Sequence, residues 1–207
     1  MNKRSLLTTF STLLVIGGVV VGGYSVVQIR EMNAYSGSQA LAKQVLPELA
    51  PSSLHSGAAI NPQEIYNQVS IRRGDYLGKI TIPDLKETLP IYQGTENSQL
   101  KMGIGHYEKS VLPGVADNSV LSGHRDSVFS KLGKLKVGEF VTVETVAGKF
   151  TYKISGFRIV GANDRTVIVP TKSAVLTLTT CYPFHYIGNA PKRFIVSADL
   201  VPQTPAL

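Results

Sequence analysis

Short runs of alternating apolar and polar residues dominate the chain from Gly74 onward. The first run, YLGKITIP, places Leu77, Ile80 and Ile82 at apolar positions and ends at Pro83. Gly, Asn, Asp and Pro lie at the boundaries of these runs, as is typical of strands joined by turns. The further predicted strands are NSVLSGH, EFVTVETV, KFTYKISGFRIV, TVIVP, AVLTLTTC and RFIVSADLV. Because only short helical breaks such as DSVFSKLGKL interrupt them, the pattern predicts a mostly β domain, a small closed barrel or a sandwich.

A long apolar run precedes this β-rich region. MNKR supplies two side-chain positive charges, and residues 5–29 then carry no charged side chain. At about 1.5 Å per helical residue, this run is long enough to cross a hydrocarbon core about 30 Å thick. A cleaved signal peptide is the alternative, but no small-residue cleavage pattern follows at the right distance. We therefore expect residues 1–29 to be the cytoplasmic N-terminus and a signal-anchor transmembrane helix of a single-pass cell-membrane protein, with the remainder extracytoplasmic.

Residues 30–72 are predicted to be an extracytoplasmic tether with short helical segments. LPELAPSSLHSGAA is rich in Pro, Ser and Ala, which is typical of a linker. In the next stretch, NPQEIYNQVSI, Asn61 suits the N-cap of a helix that begins at Pro62. An apolar stripe on this helix is expected to dock on a larger body, and its members are Ile60, Ile65 and Val69. The domains expected are 1–29, 30–72 and 73–207.

Composition limits the expected partners and argues against a disulfide and against a zinc site. The net charge of +7 indicates attraction to anionic surfaces such as lipid headgroups or cell-wall polymers. Nucleic acid is not an expected partner, because the predicted location is extracytoplasmic and no basic patch is interleaved with aromatic residues. A single cysteine cannot form an intramolecular disulfide, and the sequence has no Cys and His cluster with zinc spacing.

The only cysteine lies at the end of the predicted strand AVLTLTTC. With a period of two, Thr177, Thr179 and Cys181 fall on one strand face. The strand should stop at Cys181, since Pro183 cannot donate into a sheet ladder. If the next strand, which opens with Arg193, pairs antiparallel with this one, Cys181 and Arg193 are neighbours. A guanidinium there would favour the nucleophilic thiolate and could donate to an oxyanion in acyl transfer.

His124 is the best placed of the four histidines to move protons. It ends the run VLSGH, in which Val120, Ser122 and His124 share a face. Histidine and cysteine often act together, because an imidazole can protonate a leaving amine and deprotonate an incoming one. Each residue also has a structural interpretation, since a lone cysteine is commonly a buried small hydrophobe. The residues alone leave both interpretations open.

Three motifs resemble those of sortases, the membrane-anchored cysteine transpeptidases of Gram-positive surfaces. TLTTC matches the TLxTC signature, SGHRD resembles the histidine motif, and Arg193 lies where the family's arginine follows the cysteine. The similarity runs from about Gly74 to Val201. It includes GKITIPDLKETLPIYQG, which resembles the family's opening strands, and GIGHYEKSVLPG upstream of the histidine.

The resemblance implies an eight-stranded sortase β-barrel with short helices that acts on a sorting signal of the LPxTG type. Cys181 would attack the carbonyl after the signal's Thr and form a thioacyl intermediate, which an amine resolves. His124 would act as acid and base, and Arg193 would hold the oxyanion or the substrate backbone. The residues implied to bind substrate are Ser122, Thr179, Thr180 and His185.

The implied partners are surface proteins with a sorting signal, an amine of peptidoglycan or lipid II, and the membrane. No cofactor and no metal site are expected, although some class A sortases bind calcium through acidic loop residues and calcium stimulation is left open. Two further polar residues receive structural interpretations. His106 is expected to be structural, and Asp126 is expected to cap the helical turn that follows it.

The subclass is indicated by CYPFHYIGNAPKRFIV, which looks most like class D enzymes and implies a signal such as LPNTA. A class A or E housekeeping sortase is the alternative. Class B is disfavoured because only GANDRTVIVPTKSA separates GFRIV from the cysteine strand. A pilus-assembling sortase is the least favoured, since the sequence has no Asp-Pro lid motif and no apolar run at its C-terminal end.

Two other function classes fit the sequence less well. An L,D-transpeptidase would show a Ser-His-Gly-Cys run, which is absent. An anchored binding module without activity would explain the anchor and the barrel, but not the Cys, His and Arg at strand ends. Thiol reactivity separates these classes, because the buried cysteine of a binding module should be inert.

Overall fold

Residues 61–185, 188 and 190–202 of the 207-residue chain are described by a computed structural model. The predicted signal anchor and the tether up to residue 60 lie outside these residues, and both stay predictions. No helix within the described ranges is long and apolar enough to cross a membrane.

Strands make up most of the described chain, with a few short helical segments between them. The strands are β1 (Tyr76–Ile82), β2 (Glu87–Gln93), β3 (Ile104–His106), β4 (Asp117–Ser122), β5 (Phe140–Thr145), β6 (Gly148–Gly161), β7 (Ala174–Tyr182) and β8 (Lys192–Leu200). The helical segments are α1 (Pro62–Asn67), α2 (Asn97–Met102) and two 3-10 turns, Pro83–Leu85 and Leu132–Lys134.

The strands close into a barrel in the order β1–β2–β3–β4–β7–β8–β6–β5. The β2–β3 and β4–β7 pairs are parallel, and the other pairs are antiparallel. A parallel pair needs a long crossover connection, and β5 and β6 lie in the chain between β4 and β7. The expected eight-stranded barrel with short helices is confirmed.

The hydrophobic core receives residues from every strand of the barrel. The buried core residues from the strands are Leu77, Ile80, Ile82, Ile91, Ile104, Leu121, Val141, Val143, Phe150, Tyr152, Ile154, Leu176, Leu178, Val196 and Ala198. Phe129, Leu132 and Leu135 join them from the segment between β4 and β5. Burying a large apolar side chain contributes about 1.5–3 kcal/mol, so this cluster is the main source of the barrel's stability.

A glycine allows β1 to pass close to β5. Gly78 has φ +148°, and a Cβ at this position would lie 1.9 Å from the carbonyl oxygen of Glu144. The register between β1 and β2 shifts at the same place, between Tyr76 and Gly78. Such a bulge bends a strand and increases its twist, which helps the sheet to close on itself.

The prediction of a strand at TVIVP, residues 166–170, is wrong. This segment belongs to the long connection between β6 and β7 and has no strand pairing. Its carbonyl groups at Val167 and Val169 accept hydrogen bonds from the Asn118 side chain at 3.1 and 3.4 Å. Ile168 is 45% exposed, so β-branched residues here do not mark a buried strand.

Helix α1 begins as predicted but docks through a different residue. The Asn61 side chain accepts a backbone hydrogen bond as the N-cap, and Pro62 opens the helix. Tyr66 is the buried residue of the helix, with 5% exposure, whereas Val69 is 38% exposed. The helix ends at Asn67, so Val69 lies beyond it and cannot extend the predicted apolar stripe.

Candidate active site

Cys181 lies at the C-terminal end of β7, directly opposite Arg193 on β8. The two strands are antiparallel and pair these residues in register, as the sequence predicted. Both side chains are half-buried. The strand continues one residue past the predicted end at Cys181, to Tyr182.

The neighbouring strand β4 brings His124 to the same end of the barrel. β4 runs parallel to β7 with Ser122 opposite Thr179. His124 and Cys181 each follow two residues after this pair, so the parallel register carries them to the same edge of the sheet. The three predicted catalytic residues therefore lie on or just beyond three adjacent strands, β4, β7 and β8.

The turn that carries His124 is attached to β7 by two hydrogen bonds. The Gly123 N–H donates to the Thr179 carbonyl at 3.1 Å, which extends the strand ladder by one residue. The Thr180 hydroxyl donates to the Gly123 carbonyl at 2.7 Å. Because these contacts adjoin both His124 and Cys181, they fix the two backbone segments relative to each other.

Close packing under the same turn requires a glycine. A Cβ on Gly123 would lie 2.6 Å from the Phe129 ring and 2.7 Å from Val128. Phe129 is 1% exposed, and its N–H donates to the His124 carbonyl at 3.0 Å. The turn that carries His124 is thus anchored to the hydrophobic core through Phe129.

The predicted substrate-binding residues differ in how much of each is accessible. Ser122 and Thr179 are half-buried neighbours on β4 and β7, and His185 is exposed in the loop between β7 and β8. Thr180 is only 3% exposed, and its hydroxyl is used by Gly123. These contacts give Thr180 a role in positioning the His124 turn, since its buried hydroxyl is not presented to a substrate.

Arg193 uses one nitrogen to hold the end of the β7–β8 loop. Its Nη1 donates to the carbonyl of Ala190 at 3.2 Å and to the carbonyl of Lys192 at 2.9 Å. Within the described residues, these are the hydrogen bonds of its guanidinium. The donors on Nε and Nη2 are thereby left to serve a bound group.

A second arginine, for which the sequence predicted no role, reaches the same loop. Arg125, next to His124, donates from Nη1 to the Pro183 carbonyl at 3.2 Å and from Nη2 to the Gly188 carbonyl at 2.9 Å. Its presence in the motif SGHRD is the only signal that the sequence offers, because bonds to backbone carbonyls leave no pattern in the residues that accept them. Asp126 is exposed in a turn, and the helical segment that follows, Leu132–Lys134, has Lys131 at its N-cap.

Aromatic side chains pack together beside the Cys181–Arg193 pair. The rings of Tyr182 and Phe194 stack with centroids 6.3 Å apart, and Phe184 lies 5.3 Å from Phe194. Phe157 also stacks with Phe194, with ring centroids 5.7 Å apart. This cluster supports the strand ends that carry the thiol and the guanidinium.

His106 lies within the barrel wall and has a structural role, as predicted. It is 1% exposed, and its ring nitrogens lie 2.7 Å from Oε1 of Gln93 and 2.9 Å from the carbonyl oxygen of Val111. Burial lowers the pKa of His106 below its usual value, partly offset by the contact with Val111 and by the charge of Glu108. No group of three or more His, Cys, Asp or Glu residues suited to a metal occurs in the described part of the chain.

Comparisons with known proteins identify the family of the chain. The family model for the sortase domain matches residues 80–201. The chain is 36% identical to Sortase D of Bacillus subtilis over 186 residues, which cover 88% of this chain and 93% of that protein. It is 25% identical to Sortase A of Bacillus anthracis, with 97% of each chain covered.

Solved structures show the same fold. A Sortase D5 transpeptidase of Clostridium perfringens superposes with a TM-score of 0.60 at 26% identity, covering 70% of this chain and 91% of that one. A sortase C of the same organism, solved with the C-terminal cell wall sorting motif, gives a TM-score of 0.60 at 28% identity, and the match covers 69% of this chain and 84% of that one. The chain belongs to the sortase family. Sortases are cysteine transpeptidases, and class D is represented among its named relatives.

Proposed function

We propose that this protein is a class D sortase that cleaves an LPxTG-like sorting signal, LPNTA or similar, after Thr and transfers the protein to an amine of the cell wall or its precursor. The observation that carries the proposal is the convergence of Cys181, His124 and Arg193 at the ends of three adjacent strands. A class A or E housekeeping enzyme is the alternative.

The first half of the reaction is an acyl transfer to sulfur. The Cys181 thiolate attacks the carbonyl carbon of the signal's Thr, forming a C–S bond, and the negative charge moves to the carbonyl oxygen. Donors of the Arg193 guanidinium stabilise this oxyanion. When the C–N bond breaks, His124 gives a proton to the departing amine, and the thioacyl intermediate remains.

The second half regenerates the thiolate. An amine of peptidoglycan or lipid II attacks the thioester carbonyl and loses a proton to His124, a new C–N bond forms, and the C–S bond breaks. Ser122 and Thr179 are paired neighbours on β4 and β7, two residues before His124 and Cys181, and His185 lies in the following loop. These positions support contacts with the sorting peptide.

The proposed location is the outer face of the cell membrane. The signal-anchor helix predicted in residues 1–29 would hold the enzyme at the cell membrane with the barrel outside, where surface proteins and lipid II meet. The net charge of +7 favours association with anionic wall polymers. The mechanism needs no cofactor, and we propose that the enzyme acts without calcium.

The test uses the full chain in detergent micelles with quenched peptides that carry LPxTG, LPNTA, LAxTG or NPQTN cores. We expect the wild type to cleave one core, LPNTA if the enzyme is class D, and Cys181→Ala to cleave none. The rates should be equal with added calcium and with a chelator. Cleavage retained by Cys181→Ala, or no cleavage of any core by the wild type, would contradict the proposal.

A further inference from the structure

The loop between Cys181 and Arg193 is held by an arginine at each end. Arg193 bonds to Ala190 and Lys192 at its C-terminal end. Arg125 bonds to Pro183, two residues after Cys181, and to Gly188 further along. The sequence predicted a role at the site for Arg193 but none for Arg125.

Arg125 connects the two parts of the site that must meet. Its backbone adjoins His124, and its two guanidinium nitrogens reach the segment that adjoins Cys181. A planar guanidinium with two separate acceptors fixes orientation as well as distance. The positions of the β7–β8 loop and of the turn that carries His124 are therefore coupled through Arg125.

Resting on the proposed sortase activity, we propose that Arg125 is a positioning residue that sets the geometry of His124 relative to Cys181. It touches no reacting atom. Its bonds to Pro183 and Gly188 hold the loop in the arrangement in which His124 can pass a proton to the leaving amine.

The barrel itself does not depend on these bonds. The His124 turn is attached to β7 through Gly123 and Thr180, and it is anchored in the core through Phe129. The bonds from Arg125 to Pro183 and Gly188 go to chain beyond the end of β7. Its removal should therefore affect the rate of the reaction more than the stability of the fold.

Lysine cannot replace both contacts. Its single ammonium lies at the end of a flexible stem, whereas the bonds from Arg125 leave from two different nitrogens, Nη1 and Nη2. Arg125→Lys keeps the charge and can satisfy one carbonyl, so it separates the effect of charge from that of geometry.

The experiment compares wild type, Arg125→Gln, Arg125→Lys and the control Arg73→Gln, each as the full chain in detergent. Arg73 also forms several guanidinium bonds, to Glu96 and Glu108 on the surface, but it lies outside the proposed site. The measurements are kcat and KM with the peptide that the wild type cleaves, the melting temperature, and hydrogen–deuterium exchange of a peptide covering residues 183–190.

We expect Arg125→Gln to lower kcat about 10²-fold, the scale of a small misplacement of reacting groups, with KM changed less than about threefold. The kcat of Arg125→Lys should lie between that of Arg125→Gln and that of the wild type. Amide exchange in residues 183–190 should become faster in Arg125→Gln, while exchange in the barrel strands and the melting temperature stay close to wild type. Arg73→Gln should match the wild type in kcat, KM and loop exchange.

Wild-type kcat and wild-type loop exchange in Arg125→Gln would overturn the positioning role and leave the proposed function intact. A loss of kcat accompanied by faster exchange throughout the barrel would also overturn it, since Arg125 would then stabilise the fold as a whole. If Arg125→Gln fails to fold, the same measurements on Arg125→Lys decide. A wild type that cleaves no peptide overturns the proposed function, and the positioning role with it.

Discussion

Arg193 has to serve the loop and the proposed reaction at the same time. Its Nη1 is bound to the carbonyls of Ala190 and Lys192, and Cys181 lies directly across the β7–β8 ladder. A guanidinium can hold the loop with one nitrogen and donate to an oxyanion with the others. An ammonium at the end of a lysine stem offers one nitrogen for both tasks.

We predict that Arg193→Lys lowers kcat/KM for the sorting peptide about 10²-fold, the scale of a lost oxyanion donor. Initial rates of peptide cleavage test this, with Arg73→Lys as a control because Arg73 is a surface arginine whose bonds go to Glu96 and Glu108. Full activity in Arg193→Lys would show that the planar, forked shape of the guanidinium is not needed.

At the residue scale, strand periodicity was enough to place Cys181, His124 and Arg193 at strand ends, and the strand register agrees with that placement. Their catalytic roles came from the resemblance to sortases and stay a proposal. The sequence was not sufficient for Arg125 or for the true contact of Thr180. Both bond to backbone carbonyls, and a carbonyl is available at every position of the chain. Only the folded structure shows which carbonyls come within reach.

Between β4 and β7, buried polar side chains form a network that reaches the long β6–β7 connection. The Thr177 hydroxyl donates to the Asn118 Oδ1 at 2.8 Å, and both residues are buried. The amide nitrogen of Asn118 donates to the carbonyls of Val167 and Val169. The Asp117 carboxylate also accepts a hydrogen bond from the Thr171 N–H, at 2.7 Å.

We predict that Thr177→Val lowers the free energy of unfolding by about 1–3 kcal/mol, because the buried Asn118 oxygen loses its donor. The control is Ser119→Ala, next to Asn118 on β4, because the buried Ser119 hydroxyl has no hydrogen-bond partner in the described structure. Its removal should be neutral or stabilising. Urea denaturation of both variants tests the pair, and equal losses of stability would contradict this account of the network.

The same network explains why one element was predicted wrongly. TVIVP has the composition of a strand. Its carbonyls, however, accept hydrogen bonds from the Asn118 side chain, and the segment remains part of the long connection. The sequence gives no sign of this, since Asn118 lies about 50 residues away and its own strand reads as an ordinary alternating run. Strand composition is therefore a weaker guide in long connections than in segments bounded by turns.

At the scale of the whole molecule, two tyrosines join distant parts of the barrel domain at residues 113–114. The Tyr66 hydroxyl of α1 donates to the Pro113 carbonyl at 2.9 Å and lies 2.7 Å from the Thr145 hydroxyl. The Tyr152 hydroxyl of β6 accepts from the Gly114 N–H at 2.7 Å. Burial raises the pKa of Tyr152 to about 12, and burial also raises the pKa of Tyr66.

These pKa values predict a loss of stability in alkali. The ordinary tyrosine pKa is 10.0, so the unfolded chain releases its proton before folded Tyr152 does, at about 12. The stabilising contribution is therefore complete below pH 10.0 and is lost as the pH rises from there towards 12. Urea midpoints measured across this range should fall, and the fall should be shallower in Tyr152→Phe. An equal slope in the wild type and in Tyr152→Phe would contradict the assignment.

The barrel could be predicted at this scale because its core depends on alternation, and every strand contributes to that core. Strands β2 and β3 were not among the strands predicted from the pattern. The segment that contains β2 entered only through the resemblance to a family, and three residues such as Ile104–His106 carry too little pattern of their own. The docking of α1 through Tyr66 was missed because its partners lie about 50 to 80 positions away in sequence, a separation that helical periodicity does not report.

The central claim is that Cys181 carries the acyl group during transfer. The most direct test incubates the full chain with the preferred sorting peptide in the absence of an amine and identifies the adduct by tandem mass spectrometry. We predict one acyl group, ending at the signal's Thr, attached to Cys181, and its conversion to an amide product when a cell-wall amine is added. An adduct on another residue, or cleavage without any adduct at Cys181 under rapid acid quench, would contradict the account.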